Sequence, residues 1–131
     1  TKISNANNFL KLNKCSYKKN INIKMVKLKI NQWIYFEFKK TTNLVNKHLA
    51  DFRFDEASRA IYNFVWGSYC DWYLEFLKPI FNSKNKRAKD EATSFSSYMF
   101  MNMLKLLHPF IPFFTEHMWQ KNKFDKFFES N

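Results

Sequence analysis

Gly67 is the only glycine in the chain, and the prolines are Pro79, Pro109 and Pro112. Two-residue hairpin turns need positive φ, which glycine supplies at almost no steric cost. A sandwich or barrel needs a turn signal about every 8–12 residues, so an all-β architecture is all but excluded. The same scarcity leaves no glycine-rich loop to cradle a phosphate. With 46% apolar and 25% charged residues the chain can build a packed core, which a disordered composition cannot. Its 131 residues are one domain's worth, and helices are the elements left to build it.

The spacing of apolar residues locates them. Ile3, Ala6, Phe9, Leu10 and Asn13 predict a short helix over residues 2–13. Residues 15–29 read as a basic loop. Ile21, Ile23 and Met25 alternate there as in a short strand, but have no second strand to pair with. Asn31 is placed as an N-cap, with Ile30 and Tyr35 as its hydrophobic staple. Ile34, Phe38, Thr41, Val45, Leu49 and Phe52 then form one stripe of a long helix. Asp55 is expected to cap the next helix, which Pro79 should stop near Leu77. Apolar residues cover most of its circumference, the mark of a central helix. After a polar linker at 82–89, a fourth helix is predicted from about Asp90 to Leu107, with Ala92, Phe95, Met99, Met103 and Leu106 on one face. His108-Pro109 ends it, and a short fifth helix spans about Phe113 to Trp119. The expected fold is all-α: an antiparallel helical bundle of four main helices plus a short fifth. It occupies residues 1–120, with 121–131 as a tail leading to a further segment.

The net charge is +11, and it is unevenly placed. Residues 1–50 carry eleven lysines and a single acid, Glu37. Residues 51–80 are slightly acidic and the remainder slightly basic. Lysine-rich, A/T-biased coding would spread the charge evenly; clustering favours a polyanionic partner. Lysines interleave with rings at Phe9, Lys11, Lys14, Tyr17, Lys18 and Lys19, a pattern suited to RNA, whose unpaired bases stack on aromatic side chains. Two cysteines, Cys15 and Cys70, make no disulfide framework and fit a reducing compartment. No run approaches the ~18 apolar residues of a membrane helix, so no membrane partner is expected. The first residues, Thr-Lys-Ile-Ser-Asn, form no signal peptide, and the chain reads as a piece of a longer one.

Catalytic and metal constellations are weak. Asp71 and Glu75 share a helix face at i, i+4, but no nucleophile or oxyanion donor accompanies them, and ion pairing with neighbouring helices is the simpler role. His108, Glu116 and His117 match no zinc spacing, and His108 is placed as a helix C-cap. Trp33, Trp66 and Trp72, like Asp71 and Glu75, are assigned to architecture.

Several segments together carry a family signal. They are Phe52-Arg53-Phe54-Asp55-Glu56-Ala57, then Tyr62-Asn63-Phe64-Val65-Trp66, then Tyr69-Cys70-Asp71-Trp72-Tyr73-Leu74-Glu75. Leu106-Leu107-His108-Pro109-Phe110-Ile111-Pro112-Phe113, Thr115-Glu116 and Trp119-Gln120 follow, while Lys2-Ile3-Ser4-Asn5-Ala6, Phe9 and Trp33-Ile34 fit near the start. In this order they resemble the anticodon-binding helical bundle of valyl-tRNA synthetases, the class I synthetase anticodon-binding domain type, over essentially the whole chain. Two positions depart from that pattern: Asn8 stands where the family often has arginine, and His117 where it usually has an acid.

The resemblance implies a module of a cytoplasmic valine–tRNA ligase that positions tRNA(Val) and is not itself catalytic. ATP and magnesium would belong to a catalytic domain elsewhere in the parent chain, as would editing. This segment should need no cofactor or metal of its own. Its partners would be tRNA(Val) and those catalytic and editing domains. Valine codons begin GU, so the anticodon bases to be read are A and C. The residues expected at the tRNA face are Lys2, Asn5, Asn8, Lys11, Lys18 and Lys19, the lysines for phosphates and the asparagines for base edges. The alternatives are the bundle of an isoleucine-type synthetase and a basic helical protein-interaction module.

Overall fold

The structure is a computed structural model and describes residues 2–16 and 21–122. Every regular element among these residues is helical: α1 (Lys2–Leu12), a 3-10 turn (Ile23–Met25), α2 (Lys29–Ala50), α3 (Phe54–Tyr62), a π-helical segment (Asn63–Tyr73), α4 (Leu74–Phe81), α5 (Lys86–Leu107) and α6 (Pro112–Lys121). Helical backbone persists through both junctions of the π segment, so residues 54–81 form one rod and there are five among the described residues. The expected tail, 121–131, falls outside the described residues apart from its first two.

The rod at 54–81 is the centre, as its composition predicted. It touches α1, α2 and α5. Phe38 meets Phe64 at 5.7 Å, and Asn31 meets Tyr73, so α2 runs antiparallel to it. On the other side Tyr69 bonds the Ser96 carbonyl, and α5 returns antiparallel. α1 runs with the central rod, since Lys2 pairs with Asp71 and Phe9 packs on Phe81. α6 packs on α5.

Residues 57, 61, 65, 69, 73, 77 and 81 of the rod are all buried, a strict spacing of four. An α-helix turns about 100° per residue, so each step of four advances ~40° and six steps would carry the stripe well round the helix. The wider turns of the π segment take up that drift. They are seen in the Leu74 N–H bonding back to the Tyr69 carbonyl, five residues earlier.

Glycine scarcity is felt at the helix ends. α1 and α2 both close with a paired reverse bond: Cys15 N–H to Leu10 and Lys14 N–H to Lys11, then Arg53 N–H to His48 and Phe52 N–H to Leu49. This terminus needs a left-handed residue, ordinarily glycine. Here Lys14 (φ 59°) and Phe52 (φ 58°) fill it. Gly67 sits inside the π segment, and no glycine has positive φ.

Several expected boundaries are corrected. Asn31 is not an N-cap: α2 begins two residues earlier, and Asn31 is buried in its first turn. Asp55 lies inside the first turn of α3, whose cap position is Arg53. Pro79 does not stop its helix, which continues to Phe81. Pro79 and Glu75, whose carbonyl loses its partner, both lie on the exposed side. Phe52 is 79% exposed and leaves the α2 stripe. α5 starts at Lys86, capped by the Asn85 side chain on the Ala88 N–H. The Pro112 start of α6 fits proline's preference for the first turn.

Candidate nucleic-acid interface

α1 is amphipathic. Ile3, Ala6, Asn7 and Leu10 are buried, while Lys2, Asn5, Asn8 and Lys11 are exposed on the opposite half. Four of the six expected contact residues therefore share one open face. Lys18 and Lys19 lie outside the described residues. The face is less simply cationic than expected, because Lys2 forms an ion pair with Asp71 of the central rod. The hydrogen bond to Asp71 raises the Lys2 pKa, with Tyr62 and Cys70 also within electrostatic reach. Lys11 forms no such pair among the described residues. Phe9 is half-buried: its ring packs on Phe81 at 5.9 Å, with the Lys78 ammonium 6.0 Å above it. The Asn7 amide nitrogen is buried without a hydrogen-bond partner among the described residues.

Sequence reasoning missed an aromatic surface beside this face. Trp72, assigned an architectural role, is 60% exposed and stacks on exposed Phe76, with centroids 6.0 Å apart and planes at 19°. Tyr62 and Trp66 stack more closely, at 4.7 Å and 13°. Trp72 and Phe76 each precede a member of the buried stripe, Tyr73 and Leu77, and that phase marks them as outward. Trp33 is half-buried and packs against the core.

Asp71 and Glu75 act separately. Glu75 pairs with Lys78 on its own helix at 2.6 Å, not with a neighbouring one. Neither has a nucleophile for a partner. His108 is the C-cap residue of α5, with Nδ1 2.8 Å from the Thr115 hydroxyl. Among the described residues no three His, Cys, Asp or Glu side chains gather as metal ligands, and no helix is long and apolar enough to cross a membrane. Burial pushes the Cys70 thiol up to about 11, far from an activated nucleophile. What remains is a binding surface of lysines, amides and stacked rings.

The family model for the anticodon-binding domain of tRNA ligase matches residues 31–131. The chain belongs to this anticodon-binding family. The match runs from the first turn of α2 through α6, with α1 preceding it. Among similar curated proteins, the valine–tRNA ligase of Pelagibacter ubique is 51% identical over 95% of this chain. Those of Rhizobium meliloti and Brucella suis are 42% and 44% identical over 92% and 91% of it. This anticodon-binding bundle spans only 14% of the first relative's length and 13% of the other two.

Proposed function

We propose that this bundle is the anticodon-reading module of a valine–tRNA ligase and holds tRNA(Val) for aminoacylation by a catalytic domain of the same parent enzyme. The observation that carries the reading is 51% identity to a valine–tRNA ligase over nearly the whole chain. The open face of α1 suits anticodon reading. Asn5 and Asn8 offer both donors and acceptors to base edges, and Lys11, with Lys18 and Lys19 further along the sequence, supplies charge for phosphates. ATP, magnesium and editing belong to the rest of the enzyme, which works in the cytoplasm. The exposed Trp72–Phe76 stack suits docking against those other domains.

The test is binding of this chain to tRNA(Val) and to a copy with both distinguishing anticodon bases changed, at two salt concentrations. The expected result is salt-sensitive binding that drops for the altered tRNA. Equal binding to both overturns anticodon reading. Salt-insensitive binding of a protein partner, with no RNA bound, favours the interaction module.

A further inference from the structure

The expected contacts on α1 leave a second concentration of positive charge unused. The segment at 21–28 lies against the first turns of α5, and the two wall a cleft lined by Lys27, Leu28, Asn85, Arg87, Ala88 and Glu91. Lys24, Lys29, Lys84 and Lys86 flank it in sequence, and all six cations are exposed. None of the six forms an ion pair among the described residues, whereas Lys2, Lys40, Arg53 and Lys78 each do.

Nearby acids do not cancel this charge. Glu91, in the cleft wall, accepts from the Lys27 and Leu28 N–H groups and the Asn31 amide, and keeps its charge, so the six cations outnumber the acids without being free of them. Asp90 is the other acid at this end, exposed on α5. α2 and α5 both begin here without an acid in their first turns. Glu91 answers the dipole of α2, while that of α5 adds positive potential where cations already crowd. That arrangement repels itself in the free protein and is relieved by an anion. α1 ends at this same end of the bundle, since Phe9 packs on Phe81 just before the turn into α5.

We propose that this cleft is a phosphodiester-backbone site that grips the tRNA stem, while the α1 face meets the anticodon loop. The inference rests on the tRNA-binding reading above and adds a second surface to it. A cleft walled by two elements suits a ridge of phosphates better than a flat anionic bilayer.

The test is the double variant Lys27→Ala/Arg87→Ala, with Lys39→Ala/Lys47→Ala on exposed positions of α2 as control. Each chain is titrated with tRNA over a range of salt, and thermal melts verify equal folding. The slope of log K against log salt should shrink by about 1.4–1.8 in the cleft variant, the share of two phosphate contacts. The loss should be the same for native and altered anticodons. An unchanged slope, or an equal drop in the control, overturns the proposal. So does loss of binding to anionic phospholipid vesicles with tRNA binding intact. Anticodon-blind binding that still loses slope in the cleft variant removes anticodon reading and leaves this site standing.

Discussion

The Tyr73 hydroxyl donates to the Asn31 Oδ1 at 2.7 Å, and both side chains are fully buried. The Asn31 amide in turn donates to Glu91. One chain of bonds thus joins the central rod, α2 and α5, and its terminal carboxylate holds the segment entering α2. Buried polar networks of this kind are costly when broken because each orphaned group has lost its water.

Replacing Tyr73 with Phe should therefore cost about 1–3 kcal/mol, read from urea unfolding. An unchanged midpoint would mean that Asn31 finds another donor. The same phenol contributes to alkaline behaviour. Burial raises Tyr69 and Tyr73 well above 10.0, and Cys70 rises from 9.0 to about 11. Groups held neutral in the fold but free to ionise once unfolded contribute stability below their unfolded pKa and lose it as pH rises. Stability should hold level to about pH 9 and fall beyond it, and less steeply in Tyr73→Phe. A fall of equal slope in the variant would point to other groups.

Glu91→Ala removes the acceptor of two backbone N–H groups and one amide. The expected loss is about 1–3 kcal/mol, with faster amide exchange at Lys27 and Leu28. Glu91→Gln keeps one oxygen acceptor and should lose less. Equal losses in the two variants would rule out the acceptor role.

The tryptophans should separate sharply. Trp119 is fully buried, so Trp119→Ala should cost ~3–5 kcal/mol. Trp72 is mostly exposed, and Trp72→Ala should cost under about 1 kcal/mol. Calorimetric melts compare them, and a large loss at Trp72 would place its ring in the core after all.

Phe52 holds a left-handed conformation that costs a non-glycine residue roughly 1–2 kcal/mol, and its ring is mostly in solvent. Phe52→Gly should stabilise the chain by about 0.5–1 kcal/mol, part of the relief being offset by greater unfolded-state freedom. A lower melting temperature would show that the ring's contact with Phe54 matters more.

The Lys2–Asp71 pair makes a prediction about RNA. Lys11→Ala should lower the salt slope of tRNA binding by nearly one, and Lys2→Ala by less, since Lys2 is already neutralised. Asp71→Asn should free Lys2 and tighten binding. Equal effects of the two lysine variants would show that the pair opens on RNA.

Helix number, order and most of the core are legible in the sequence because apolar spacing records which face is buried. Ile34, Val45, Met99 and Met103 fall in the core for that reason. Capping is less legible. Asn31 has a capping side chain, but its partners, Tyr73 and Glu91, come from distant segments, and spacing along one helix cannot reveal them. Trp72 is misplaced when hydrophobicity is read without phase: the neighbouring Tyr73 belongs to the four-residue stripe, and Trp72 does not. Asn5, Asn8 and Lys11 are readable as an open face because α1 is short and plainly two-sided. The cleft beside α5 is not, since its walls are more than fifty residues apart in sequence.

The stretched turns at Asn63–Tyr73 give the central rod slack in its length. Deleting one residue there can be absorbed by tightening a wide turn to an ordinary one, with Ala57 and Leu77 still facing the same neighbours. The same deletion within α2, helical in the ordinary way from Lys29 to Ala50, has nothing to take up. It would swing every later side chain of that helix by about 100°. The rod most surrounded by packing is thus the one whose length has give, like an expansion joint placed at the centre of a frame.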